Sequence, residues 1–140
     1  MTHVEVVATP GDAERDAILA PLAAHNDRAT GPTVRAPVAI VIRDDDGKVV
    51  GGLWGAVGYQ WLFIQYLALP PDRRGKGLGR ALMAAAEAEA RRLGCVGVWL
   101  DTYSFQAQGF YEKLGYRIFG EIADYPPGHT RFFLSKRLND

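Results

Sequence analysis

The sequence predicts a mixed α+β domain with a mostly antiparallel central sheet flanked by helices, and three observations predict it. Short runs rich in Val, Ile and aromatic residues recur along the chain, two of them joined by an Asp-Gly turn. One long segment, Gly77 to Leu93, carries apolar residues at helical spacing. The elements do not alternate strictly between strand and helix: a run of strands precedes the alternation, and two strands close the chain. The 140 residues, 48% of them hydrophobic, suit a single domain spanning 1–140 with a core that needs no cross-links.

Taken in order, Val4 to Ala8 reads as a short strand. Thr9-Pro10-Gly11-Asp12 then reads as a helix start, with Thr9 as N-cap and Pro10 at the first helical position. Ile18, Leu19 and Leu22 mark that helix, which is expected to end near Asn26, and Asp27 to Pro37 reads as a loop around Gly31-Pro32. Pro37 to Arg43 and Lys48 to Val57 flank Asp44-Asp45-Asp46-Gly47 as a hairpin. Trp61 to Leu69 is a further strand closed by Pro70-Pro71.

In the following helix the spacing of Leu78, Ala81, Leu82, Ala85 and Ala88 sets the apolar face, with Glu87 and Arg91 as an i,i+4 pair on the outside and Gly94 as the stop. Gly97 to Thr102 is a strand, and Phe105 to Leu114 a short helix ended by Gly115. Tyr116 to Ile122 and Arg131 to Leu138 are the closing strands.

Composition narrows the function classes. Sixteen basic and sixteen acidic residues balance, so the chain lacks the cationic excess of a general nucleic-acid binder. Cys95 is the only cysteine, which excludes an intramolecular disulfide and suits a reducing cytoplasm. The N-terminus has no basic start followed by an apolar run, and no stretch reaches the ~20 apolar residues of a membrane span. The expectation is a cytoplasmic protein that engages neither nucleic acid nor membrane.

The most informative segment is Arg73-Arg74-Gly75-Lys76-Gly77-Leu78-Gly79, which joins the Trp61–Leu69 strand to the longest helix. The first turn of a helix presents unpaired N–H groups and the positive end of the dipole, so it attracts anions. Glycine lets the backbone approach phosphate oxygens and permits positive φ. Arg73, Arg74, Lys76 and Arg80 add charge at the same place, which suits a pyrophosphate. A P-loop is excluded because no Ser or Thr follows Gly-Lys, and a dinucleotide fingerprint because the glycines alternate. A glycine-rich turn with incidental basic residues accounts for the same segment when it is taken alone.

With its surroundings the segment resembles the GCN5-related N-acetyltransferase superfamily, in particular small bacterial single-domain members. That family's cofactor motif is Gln/Arg-x-x-Gly-x-Gly/Ala between a strand and a long helix, and Arg74-Gly75-Lys76-Gly77-Leu78-Gly79 matches it after Leu67-Ala68-Leu69-Pro70-Pro71. A second motif, Asn-x-x-Ala-x-x-Phe-Tyr-x-x-x-Gly-Phe/Tyr, is similar to Ser104-Phe105-Gln106-Ala107-Gln108-Gly109-Phe110-Tyr111 through Gly115-Tyr116. The likeness is strong from Leu62 to Leu138, whereas the first sixty residues match in element order alone.

The resemblance implies an acyl-CoA N-acyltransferase fold and an enzyme that moves the acetyl group of acetyl-CoA to a primary amine without a metal. The strand before the glycine loop would splay from its neighbour and pair through the backbone of Leu67, Ala68 and Leu69 with the pantetheine arm. Arg74, Gly75, Lys76, Gly77, Leu78, Gly79 and Arg80 would hold the pyrophosphate, with Ser104, Gln106 and Phe110 as further cofactor-binding residues. Tyr111 takes the family's place of the general acid, since a phenol with a pKa near ~10 is protonated at neutral pH. Packing against the sheet is the alternative for Tyr111. Ser104 stands where many relatives have Asn, and capping a helix from Phe105 is its other reading.

No general base is singled out among Asp101, Glu121, Asp124, His25 and His129. The acceptor side is expected along Asp27–Arg35, Trp54–Trp61 and Tyr103–Phe105, with Trp54, Tyr59, Trp61, Tyr103 and Tyr125 as its aromatic surface. The acceptor is read as a small-molecule amine, with a protein acetyltransferase and a non-catalytic acyl-CoA-binding module as alternatives. Edge strands near the C-terminus allow a homodimer.

Overall fold

A computed structural model describes residues 2–138, which fall into two compact units divided between Thr33 and Val34. The first unit is built on helix α1 (Asp12–Thr30). Gly11 is its N-cap, and the Glu14 carboxylate accepts the Gly11 N–H at 2.9 Å, so the helix starts later than the Thr9-Pro10 signal predicts. It also runs four residues beyond Asn26 and stops at Gly31, whose φ of 73° reverses the chain. Residues predicted as loop therefore complete the helix. Val4 to Ala8 form no strand, because an extended run becomes one only by pairing.

The second unit is a six-stranded sheet: β1 (Ala36–Arg43), β2 (Val49–Gly58), β3 (Trp61–Ala68), β4 (Gly97–Tyr103), β5 (Arg117–Ala123) and β6 (Thr130–Arg137). The spatial order is β1-β2-β3-β4-β6-β5, and β3–β4 is the parallel pair in an otherwise antiparallel sheet. Helix α2 (Leu78–Arg92) makes the crossover between β3 and β4, and the short α3 (Gln108–Lys113) follows β4. The predicted fold class and the order of these elements hold. Among the described residues no helix is long and apolar enough to cross a membrane.

Alternation along the strands builds the core. Leu53 and Val57 of β2, Leu62 and Ile64 of β3, Val98 and Leu100 of β4 and Leu134 of β6 are buried together with Leu82, Met83, Ala86 and Ala90 of α2. The predicted helix is therefore correct but its face is rotated: Ala81, Ala85 and Ala88 are exposed. Alanine is indifferent to either side, so an Ala-rich helix marks its buried face weakly. The same rotation buries Glu87, which was placed on the outer face. Its carboxylate accepts the Tyr116 hydroxyl at 2.9 Å and the Lys136 ammonium at 2.9 Å, as a buried charge requires.

Candidate active site

The site begins with a failure of pairing. β3 and β4 are in register from Trp61↔Gly97 to Ile64↔Leu100, and no further. At the same point Gln65 is an extra residue against β2, since Trp54 pairs with Tyr66 while Gly55 pairs with Ile64. A bulge bends its strand and increases local twist. Beyond it Gln65 and Tyr66 are exposed, whereas Leu62 and Ile64 just before it are buried. The bend opens a wedge between two parallel strands, and a cavity of about 720 Å³ fills it.

The Ile64–Leu69 segment forms one wall of this cavity, and Leu100, Asp101 and Thr102 form another. Phe105, Gln106, Ala107, Phe110 and Tyr111 close it on the α3 side, with Arg74 and Gly79 at the glycine loop. Leu67, Ala68, Leu69, Arg74, Gly79, Gln106, Phe110 and Tyr111 are thus brought together as the sequence predicts. Arg74 Nε donates to the Leu69 carbonyl at 3.1 Å, which fixes the loop to the end of β3.

The glycines serve two physical ends. Gly75 and Gly77 have φ of 76° and 79°, the left-handed region that side chains disfavour. Gly79 is instead a packing residue, since a Cβ there would stand 3.2 Å from the Phe110 ring. Gly77 is the N-cap of α2, no side chain caps that helix among the described residues, and its first turn holds no acidic residue. The first-turn N–H groups and the dipole are therefore not offset by a carboxylate, as an anion site needs.

The remaining loop residues point to different surroundings. Arg73, Lys76 and Leu78 line a separate open cleft of about 500 Å³ with Arg43, Asp72 and the Asp44–Asp46 turn. Gly75, Gly77 and Arg80 are exposed around the helix start.

Thr102 Oγ1 and the Tyr103 N–H both donate to Gln106 Oε1, at 3.1 and 3.0 Å. That clasp holds residues 103–106 as a turn, so α3 begins at Gln108 with Ala107 as N-cap. Ser104 caps no helix. Its hydroxyl accepts the Thr130 N–H at 3.0 Å, lies 3.4 Å from His129 Nδ1, and is not among the residues lining the cavity. Ser104 ties the turn to β6.

Tyr111 is buried on α3, with its ring edge-on to Phe110 and Tyr116 at 5.1 and 6.3 Å. Burial first, and the charge of Asp101 second, push its phenol up to about 12. It packs against these rings and also lines the cavity.

Of the carboxylates and histidines considered as bases, Asp101 lines the cavity. Its Oδ2 is 2.8 Å from Arg131 Nη2, a partner thirty residues away that no local pattern reveals. Arg131 Nη1 donates to the Tyr125 hydroxyl at 2.8 Å, and its Nε is buried without a partner among the described residues. The hydrogen bond that Arg131 donates to the Asp101 carboxylate raises the Arg131 pKa further. His129 meets the Phe105 ring at 4.9 Å beside the cavity, whereas Glu121 and Asp124 are exposed outside it. His25 lies in α1.

The expected aromatic surface is only partly assembled. Tyr103 stacks on Phe105 at 5.1 Å and meets Tyr125 at 5.8 Å, and Trp54 pairs with the cavity residue Tyr66. Tyr59 packs under Arg35 and Trp61 under Arg137, at the far end of β3 from the wedge.

A model of the Acetyltransferase (GNAT) family matches residues 12–116. The chain belongs to the GNAT acetyltransferase family. It is 38% identical over 134 residues to an acetyltransferase of Agrobacterium fabrum, covering 95% of this chain and 98% of that one. Blasticidin-S acetyltransferase of Streptomyces morookaense is 48% identical over 93 residues, 66% of this chain and 68% of the relative. The crystal structure of an acetyltransferase from Bacillus cereus superimposes with a TM-score of 0.86 at 31% identity, covering 96% and 98% of the two chains. By this membership the chain is an acetyltransferase, and acetyl-CoA is the donor its GNAT relatives use.

Proposed function

We propose that this GNAT chain, read as one domain over its 140 residues, transfers the acetyl group of acetyl-CoA to a primary amine of a small molecule by direct attack in a ternary complex. The observation that carries the reading is the single cavity joining a splayed strand edge, a glycine-rich helix start and a buried phenol. Leu67 and Ala68 pair with β2, but β4 no longer pairs with β3 at this level, so the β4-facing edge here offers strand-like hydrogen bonds to an amide-bearing arm. Arg74 and the start of α2 attract the pyrophosphate. As the neutral amine attacks the thioester carbonyl and the C–S bond breaks, the departing thiolate takes its proton from Tyr111, and the proton lost by the attacking nitrogen restores the phenol by way of water. A phenol pushed up to about 12 is fully protonated for that step at neutral pH.

Similarity to an enzyme named for blasticidin-S supports a small-molecule acceptor. The test is release of free thiol from acetyl-CoA across a panel of polyamines, amino acids, aminoglycosides, peptides and blasticidin-S. Turnover confined to small amines is expected. Turnover with peptides alone would assign a protein acceptor, and acetyl-CoA binding without turnover on any amine would assign a regulatory module.

A further inference from the structure

The cavity is charged at both ends, and the donor accounts for one of them. Arg74 stands toward the glycine loop, and Asp101 is the first β4 residue beyond the last β3–β4 pair. Of the described residues lining the cavity, Arg74 is the one cation and Asp101 the one carboxylate. An anionic donor settles toward the first. The second suits a ligand of opposite charge.

The surroundings of Asp101 hold it in place without using up its capacity. Its side chain is 13% exposed, so an unpaired carboxylate would be costly there, and Arg131 offsets that cost through Oδ2 at 2.8 Å. A carboxylate has about four lone-pair positions, and this contact engages one oxygen. Arg131 is in turn immobilised. Its guanidinium lies 5.5, 4.8 and 5.1 Å from the rings of Tyr103, Tyr125 and Phe133, and the Tyr125 hydroxyl accepts from it. Elements on both sides of the β4–β6 pair thus fix one carboxylate at the apex of the wedge.

The same end of the cavity is aromatic. Tyr66 and Phe105 line it while remaining largely exposed, and Phe105 is held between the Tyr103 face and the His129 edge. An exposed ring held in place, as Phe105 is, offers a flat surface for stacking.

We propose that Asp101 is the specificity-determining residue for the acceptor, binding the ammonium of a primary amine carried on a flat aromatic body before that nitrogen gives a proton to solvent and attacks as the neutral amine, and that Arg131 is the positioning residue that holds its carboxylate. This rests on the acetyl-transfer reading above, and the experiment separates the two. The probe is phenethylamine, with thiol release followed at saturating acetyl-CoA and donor binding followed independently by thermal stabilisation.

Asp101→Asn is expected to raise the KM for phenethylamine at least thirtyfold and to change kcat less than threefold, with stabilisation by acetyl-CoA retained. Asp101→Glu recovers most of the KM, and Arg131→Lys, which keeps the charge but loses the fork, raises KM three- to tenfold. Should Asp101→Asn lose its acetyl-CoA stabilisation, the double variant Asp101→Asn/Arg131→Met leaves no unpaired charge and decides by the same KM criterion. A KM within twofold of wild type, a loss confined to kcat, or no turnover of phenethylamine by a wild type that acetyl-CoA does stabilise would each overturn the proposal. A wild type that acetyl-CoA does not stabilise fails at the donor reading instead, and the acceptor proposal falls with it.

Discussion

Two clusters in this protein are built from the same three chemical groups. Glu87, Lys136 and the Tyr116 hydroxyl form one, and Asp101, Arg131 and the Tyr125 hydroxyl form the other. Each joins a carboxylate to a cation from an element far along the chain, with a phenol completing the cluster. The first is closed: both Glu87 oxygens are bonded, and Lys136 also donates to the Leu114 carbonyl at 2.9 Å at the end of α3. The second opens onto the cavity through Asp101. Closure makes the first a clamp on the core, and access makes the second a surface for a ligand. What separates structure from function here is which groups are left with spare bonding capacity, not which groups are present.

The sharpest way to break this comparison is to remove one member of the clamp. Glu87→Ala leaves Lys136 and Tyr116 without their acceptor, and should cost about 3–4 kcal/mol of unfolding free energy by urea titration. A loss below ~1 kcal/mol would mean that the clamp is not closed in solution. Tyr111 lies between the clusters, touching Tyr116 and feeling the charge of Asp101. Tyr111→Phe should lower kcat about a hundredfold, near 2.7 kcal/mol, with acetyl-CoA affinity unchanged. Unchanged turnover would remove Tyr111 from the chemistry.

The same residue carries a pH signature. A phenol pushed up to about 12 in the fold, against ~10 when unfolded, adds stability that is fully present below pH ~10. That stability is lost as pH rises through the folded value. Alkaline unfolding curves should therefore fall between pH ~10 and ~12, and Tyr111→Phe should make that fall shallower, leaving the part due to Tyr116, whose phenol burial and then the Glu87 charge also push up.

Smaller effects test the donor end. Gly77→Ala meets no atoms within 4 Å, so its cost is the left-handed φ of 79°, about 1–2 kcal/mol, with weaker acetyl-CoA binding by calorimetry. A third carboxylate–cation pair, Glu89 with Arg92, lies on the surface of α2. Glu89→Ala should leave the melting temperature unmoved, because water already screens such a pair.

These clusters also mark where the sequence becomes hard to read. The glycine loop and its place between β3 and α2 were legible because their signals are local: Pro70 ends a strand, glycines alternate, and a helix of apolar spacing follows. Tyr111 stands out in the sequence through the pattern that runs from Ser104 to Tyr116. The clamp was not, because Glu87 and Lys136 are 49 residues apart and the alanines of α2 favour no face. Ser104 misled for a related reason. It looks like a cap in sequence, but the Gln106 clasp holds residues 103–106 as a turn and the Ser104 hydroxyl accepts the Thr130 N–H. The Gln65 bulge left no mark either, since it exists only as a mismatch with β2.

Thermal unfolding of the wild-type chain with and without acetyl-CoA tests the central claim most directly. At about a hundred times its dissociation constant a ligand of the folded state adds about 2.7 kcal/mol, so the midpoint should rise by several degrees. Gly77→Ala should need more acetyl-CoA for the same rise. A midpoint that does not move at saturating acetyl-CoA would contradict the assignment of the wedge and its glycine loop as the donor site.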